Sequence, residues 1–170
     1  MTRARDVADS ALVHIHTETF SAVSSASIND VFSSTYDNYL IQSNYITSAE
    51  AALLMRLRVG GSDNSSANYG IARFNFRTGS YSSAGSMTET YWNAGGSPIT
   101  RRANATINLF DPFTSNNASM NSLSGNSNAS YTYGDVAGGT LSVTTSYTGF
   151  TFFVSAGTLS GTFRVYGYRN

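Results

Sequence analysis

Two histidines, His14 and His16, form the one metal-capable cluster in this 170-residue chain. In an extended strand, positions i and i+2 share a face, so both imidazoles can point the same way. Two ligands do not close a metal site. Three such pairs around the axis of a trimer would supply six nitrogens, an octahedral set for a transition metal. The plainer reading is two solvent-facing histidines opposite buried Val13 and Ile15. It is the preferred one, so no metal, cofactor-binding residue or cofactor is expected.

Hydrolytic chemistry finds less support. The ten acidic residues are scattered, and most sit beside turn residues: Asp63 in Gly60–Asn64, Asp111 before Pro112, Asp135 after Gly134. Side-chain bonds to nearby backbone amides account for such positions. No spacing marks two of them as a glycosidase pair. A nucleophilic triad needs a histidine base, and both histidines lie together near the N-terminus. The glycines of Gly60-Gly61-Ser62-Asp63-Asn64 lack the lysine of a phosphate-binding loop. No catalytic residue is expected, and the chain reads as a non-enzyme.

Trp92, with Tyr91, Tyr81 and Tyr69, could form an aromatic platform for a sugar. Abundant Asn, Ser and Thr match hydroxyl donors and acceptors. The same residues also suit sheet packing or subunit contacts. Asn-x-Ser/Thr sequences at Asn64, Asn104, Asn117 and Asn128 arise by chance in so Asn- and Ser-rich a chain.

The elements that would carry these residues follow from composition and period. Charged residues make up 12%, about half the usual share of roughly 25%, while hydrophobic residues make up 41%. All ten basic residues are arginine and the net charge is zero. A neutral surface of hydroxyls and amides has little self-repulsion and suits a homo-oligomer or a larger assembly. It lacks the basic stripe that nucleic acid requires, Arg101 and Arg102 being the one adjacent pair. Cysteine is absent. The first fifteen residues lack a signal-peptide apolar core, and no run approaches the roughly 18 residues of a membrane span.

Strand-like segments recur along the chain. Val13 and Ile15 alternate with the histidines. Across 52–59, Leu53, Met55, Leu57 and Val59 oppose Arg56 and Arg58. Tyr69 to Phe76 ends in the Thr78-Gly79-Ser80 turn. Ala105 to Phe110 stops at Asp111-Pro112. Leu141–Val143, Phe150–Val154 and Gly161–Tyr168 follow, with Phe163 and Val165 opposing Arg164, Tyr166 and Tyr168. Within the Gly/Ser-rich 79–103, Thr88–Trp92 could pair as a strand. Residues 114–130 read as a long exposed loop.

The pattern predicts one all-β domain over 12–170, an antiparallel β-sandwich or jelly roll, after a short N-terminal arm at 1–11. The stretch from Phe20 to Gln42 reads as strand, helical turn, strand. Ile28, Val31 and Phe32 have the spacing of one turn that plugs the core, with Ser27 as its cap.

Three stretches resemble a known family. FSAVSSASINDVFSSTYDNYLIQ (20–42), LLMRLRVGGSDN (53–64) and GFTFFVSAGTLSGTFRVYGYRN (149–170) look like a β-rich surface module of tailed-bacteriophage virions. The His-x-His pair is also similar to metal sites of some trimeric phage fibres. In that family the module ends fibre or minor tail proteins, or decorates the head, and it brings no catalytic residues. The resemblance implies a structural protein on the virion surface, assembled in the host cytoplasm. Its partners would be capsid or tail proteins and further copies of itself, as a homo-trimer or other homo-oligomer. A short arm before the module favours direct attachment, so a capsid decoration or cement protein ranks first. A tail-fibre or minor tail tip that binds host-surface glycan ranks second. Residues 80–135 lie outside the resemblance, and no nucleic acid or membrane is expected as a partner.

Overall fold

A computed structural model describes residues 12–96, 101–127 and 131–169, so the arm expected at 1–11 lies outside the described residues. Thirteen strands and no helix are found among them. In chain order these are β1 (Val13–Val23), β2 (Ser25–Ile28), β3 (Asn38–Thr47), β4 (Leu53–Val59), β5 (Ser62–Asp63), β6 (Tyr69–Arg77) and β7 (Ser80–Glu89). Then come β8 (Trp92–Gly95), β9 (Ala103–Phe110), β10 (Ser119–Ser127), β11 (Thr132–Leu141), β12 (Gly149–Val154) and β13 (Leu159–Gly167). An eight-stranded sheet runs β1-β13-β3-β9-β10-β11-β6-β7, and a smaller one runs β2-β12-β4-β5 with β8 also on β4. Every pairing is antiparallel. The result is a sandwich-like all-β arrangement, with more strands than the eight of a jelly roll.

The predicted alternation positions most of the core. In β4, Leu53, Met55 and Leu57 turn inward and are fully buried, whereas Val59 emerges where Gly60 and Gly61 reverse the chain at φ 57° and 79°. Phe163 and Val165 of β13 and Ile107 and Leu109 of β9 line the facing sheet. Aromatic rings bridge the two layers. Phe20 stacks on Phe163 at 4.3 Å, Phe163 meets Phe152 at 4.3 Å, Phe152 meets Phe150 at 5.0 Å, and Phe150 faces Phe32 at 5.8 Å. Phe20 to Gln42 and the C-terminal strand are thus joined: β13 lies between β1 and β3, paired to both.

The helical turn is not formed. Ser27 and Ile28 belong to β2, where Ile28 pairs with Phe150. The chain then turns through Asp30 at φ 55°, and the amides of Val31 and Phe32 both donate to the Thr148 carbonyl, at 2.9 and 3.1 Å. The i, i+3, i+4 spacing recorded three side chains that are all buried, but sheet pairing took the first and β12's approach took the backbone bonds of the others. The plug is real and its backbone is irregular.

Three further expectations are corrected. The stretch 114–130 is not a long exposed loop: its larger part is β10, one of the two central strands of the larger sheet and paired on both sides, with only 128–130 outside the described residues. Its inward positions are Met120, Ser122, Ser124 and Asn126, all buried, so a period of two is present but carried by small polar side chains. Thr88–Trp92 is not one strand; β7 ends at Glu89 and β8 begins at Trp92. Finally, Leu141 closes β11 rather than opening a strand to Val143.

Candidate functional site

The two histidines do not share a face. A register shift between them inserts Ile15 as an extra residue, so His14 pairs with Tyr166 while His16 pairs with Val165. Directly paired residues project to the same side of a sheet, so His14 faces outward with Tyr166 and His16 faces the side of the buried Val165. His14 contacts the Tyr166 ring at 5.5 Å and Thr17 Oγ1 at 2.8 Å, and His16 lies 3.3 Å from Glu18. The bulge removes the geometric premise of a His-x-His metal site. No group of three or more metal-binding side chains occurs among the described residues.

The aromatic platform is also dispersed. Trp92 and Tyr69 are fully buried and meet edge to face at 5.2 Å, with the indole N–H donating to the Gly70 carbonyl. Tyr91 is half-buried against Phe153. Tyr81 alone is open to solvent, 79% exposed. Of the glycosylation-type asparagines, Asn64 is engaged with Asn68 and Tyr147, Asn117 donates to the Leu141 carbonyl, and Asn128 lies outside the described residues. Arg101 and Arg102 are exposed, and Arg102 donates to Asn44.

Of the acids assigned to turns, Asp111 does sit in one, at φ 54°, accepting from Thr114. Asp63 and Asp135 have other roles. Asp63, on β5, accepts from Arg58 at 2.7 Å and from Thr151 at 2.7 Å. The buried Arg58 guanidinium also donates to Ser27, Thr151 and the Gly61 carbonyl. These groups tie β2, β4, β5 and β12 together, a structural cross-link.

Two surfaces remain that can bind something, one on each side of the larger sheet. The outer one spans β10, β11, β6 and β7. Leu123, Val136 and Phe74 are paired in one transverse row, and Phe76 with Tyr81 in another. All five are exposed, as is Met87. Phe74 stacks on Tyr81 at 5.8 Å. Glycine makes the face close-fitting: a Cβ on Gly134 would stand 2.2 Å from the Phe76 ring, and one on Gly70 3.3 Å from Met87. The other outward positions on these strands are Gly, Ala, Ser, Thr and Asn, with no charge among them. Single exposed apolar residues are ordinary, but a contiguous uncharged group marks an interaction surface.

This face ends at an open sheet edge. The opposite edge, β1, is guarded by two register shifts and by His14, His16 and Glu18. The edges of the smaller sheet are short, four residues in β2 and two in β5. β7 is the exception: Ser80–Ser86 pairs in unbroken register with β6, contains no charge or proline, and among the described residues has no strand paired on its far side. Proteins normally protect such an edge against pairing with another chain.

The inner surface is polar. Ser124, Asp135, Asn75 and Ser82 lie in one transverse row of the larger sheet, at the end where Gly95 and Gly96 cross above it. Ser124 Oγ is 3.0 Å from Asp135 and accepts from the Gly96 amide at 3.1 Å. Arg73 lines the same space, and the Asn93 amide oxygen, oriented to satisfy its neighbours, accepts from it at 2.6 Å. Burial above all pushes the Asp135 carboxyl above the ordinary carboxylate range, with Ser124 and Arg73 pulling it part of the way back. A raised folded-state pKa means that the native chain holds this proton more tightly than the unfolded chain. The associated stability is present below the unfolded value and is lost as pH rises through the folded one. Asp135→Asn should therefore raise the melting temperature at pH 7, and the gain should vanish in acid; melting curves at a series of pH values check this.

No family model matches this chain, and no curated protein matches it. Solved structures match only in outline. A galectin LEC-6 from Caenorhabditis elegans is 8% identical over 89% of this chain and 96% of its own, with a TM-score of 0.39. Ail, the attachment invasion locus protein of Yersinia pestis, is 9% identical over 69% of this chain and 99% of its own, with a TM-score of 0.21. At these scores neither bears on function.

Proposed function

We propose that this chain is a non-enzymatic structural protein of a tailed-bacteriophage virion, a decoration or cement protein that docks on the capsid through the outer face of its larger sheet. The observation that carries the proposal is the uncharged apolar face of Leu123, Val136, Phe74, Phe76, Tyr81 and Met87. A cement protein has to bury apolar surface against its lattice, at about 25 cal/mol per Å² removed from water. The resemblance of residues 20–42, 53–64 and 149–170 to phage surface modules supplies the setting. No cofactor is called for.

The open edge gives the same reading a route to self-association. Two β7 strands paired about a twofold axis at Ser83 would bring Tyr81 of each copy over Gly85 of the other. That repeats the ring-over-glycine contact of Phe76 on Gly134 within one chain. A self-associating species is the expected result of light scattering at high concentration; a strictly monomeric mass contradicts it.

The second reading, a tail-fibre or minor tail tip that binds host-surface glycan, is favoured by the polar inner row rather than by the outer face. Imaging of the virion separates the two. Density for this protein on the capsid lattice is the expected result, and density confined to the tail would replace the first reading with the second.

A further inference from the structure

We propose that the capsid surface met by the outer face carries carboxylates opposite Arg164 and Arg102, on the half of that face away from the open edge. This rests on the docking reading above and specifies what the partner must present.

The outer face runs well beyond its apolar group. Successive pairings place Arg164, Gln42, Thr106, Leu123, Val136 and Phe74 in one transverse row. Directly paired residues share a side, so Arg164 projects on the same face as Leu123. The two are three strands apart, about 14 Å at the spacing of a sheet. Asn44, two residues on from Gln42, lies on that side too, and Arg102 donates to its amide oxygen at 3.2 Å.

The fixed charges of this face have one sign. The acids on the strands of the larger sheet turn the other way: Glu18 pairs with the buried Phe163, Asp135 with the buried Ser124 and Glu89 with the buried Tyr69. No outward position on the eight strands is acidic. Arg164 is exposed, and among the described residues its guanidinium makes no hydrogen bond or ion pair. Arg102, also exposed, meets a neutral amide.

Such a face selects its partner. A stable interface takes roughly 800 Å² from each side, a patch about 28 Å across. A surface that covers Leu123, Val136 and Phe74 on that scale also covers Arg164. Taking a guanidinium out of water with no counter-charge is strongly unfavourable, whereas a carboxylate accepts from it in a bidentate, charge-assisted pair. Nucleic acid would satisfy the arginines but lay phosphates over the apolar group. A protein surface with acidic side chains beside an apolar patch satisfies both halves.

The test is co-sedimentation of the purified chain with nuclease-treated, DNA-free capsids from which it has been stripped. Wild-type binding should weaken several-fold between about 0.1 and 1 M sodium chloride, as the screening length shrinks from about 10 to about 3 Å. Arg164→Glu, which sets like charges against each other, should lower affinity about tenfold or more. Arg164→Gln combined with Arg102→Gln should bind more weakly at low salt and lose the salt dependence. Arg77→Gln removes the same charge from an exposed position on the inner side and should bind as wild type. Circular dichroism checks that each variant is folded. Undiminished affinity in folded Arg164→Glu overturns the inference and leaves the docking reading standing; no binding by the wild type at any salt overturns both. Binding that returns only when DNA is added assigns the arginines to phosphate and overturns it as well.

Discussion

Phe32→Ala should destabilise this protein by about 3–5 kcal/mol, the cost of truncating a buried phenylalanine and leaving a cavity. In a domain of this size that lowers the melting temperature by on the order of 10 °C. The expectation rests on position. Phe32 is buried between Phe150, 5.8 Å away in the smaller sheet, and Tyr39, 4.7 Å away in the larger one. No regular element supports its backbone. The local backbone bonds run from its own amide and that of Val31 to Thr148, while the Tyr39 hydroxyl donates to the Ser33 carbonyl and accepts from the Ser33 amide. The side chain and these bonds therefore hold the segment jointly, and collapse around an alanine would strain them. Denaturant unfolding measures the effect; a loss under about 1 kcal/mol would show that the stretch is peripheral.

Asp63→Ala should cost about 3 kcal/mol, the low end of the range for removing one partner of a buried ion pair. Asp63 keeps some contact with solvent, its side chain 26% exposed against 11% for Arg58. Without the carboxylate, the guanidinium keeps Ser27, Thr151 and the Gly61 carbonyl but loses its counter-charge. Its Nε already has no partner among the described residues. The double variant Arg58→Met with Asp63→Leu should recover most of the loss, because a buried pair replaced by apolar groups is often neutral or stabilising. Chemical denaturation of the two proteins side by side checks both statements; equal losses in the single and double variants would mean that the ion pair is not what matters there.

Both residues belong to stretches that were legible in the sequence: Phe32 reads as part of the core plug that it forms, Asp63 only as a turn residue. Where large apolar residues carried the alternation, as in Leu53-Met55-Leu57, Ile107-Leu109 and Phe163-Val165, the strands and their buried faces could be read directly. Where the inward positions were Ser122, Ser124 and Asn126, or glycine and alanine as in β11, hydropathy was silent and a central strand looked like a loop. The polar trough went unrecognised for the same reason. Its walls are β10, β11 and β6, and Asp135 sits after a glycine that serves to admit the Phe76 ring rather than to make a turn. A period-two reading of polar residues alone, over 120–126, is the signal that could have found it.

The aromatic platform and the shared histidine face, each weighed against a plainer reading, did not form for a different reason. Residue type was read correctly, but exposure and register are set by pairing partners distant in the chain. Trp92 is buried because β8 pairs alongside β4 in the smaller sheet and faces β6 of the larger one, with its indole bonded to Gly70. His14 and His16 part company because one extra residue, Ile15, is accommodated opposite β13. Neither fact is local. The outer apolar face is likewise assembled from four strands between Gly70 and Thr140, and no single one of them carries enough apolar residues to announce it.

The most direct test of the central claim compares the wild-type chain with Tyr81→Lys for attachment to the virion. Tyr81 is the most exposed member of the outer face and lies on the open edge strand. A lysine there should leave folding within about 0.5 kcal/mol of wild type, as surface substitutions generally do, while placing a charge in the contact. Wild-type protein should give density on the capsid lattice, and the folded variant should lose it or show a large fall in occupancy. Lattice occupancy equal to wild type in Tyr81→Lys would contradict it.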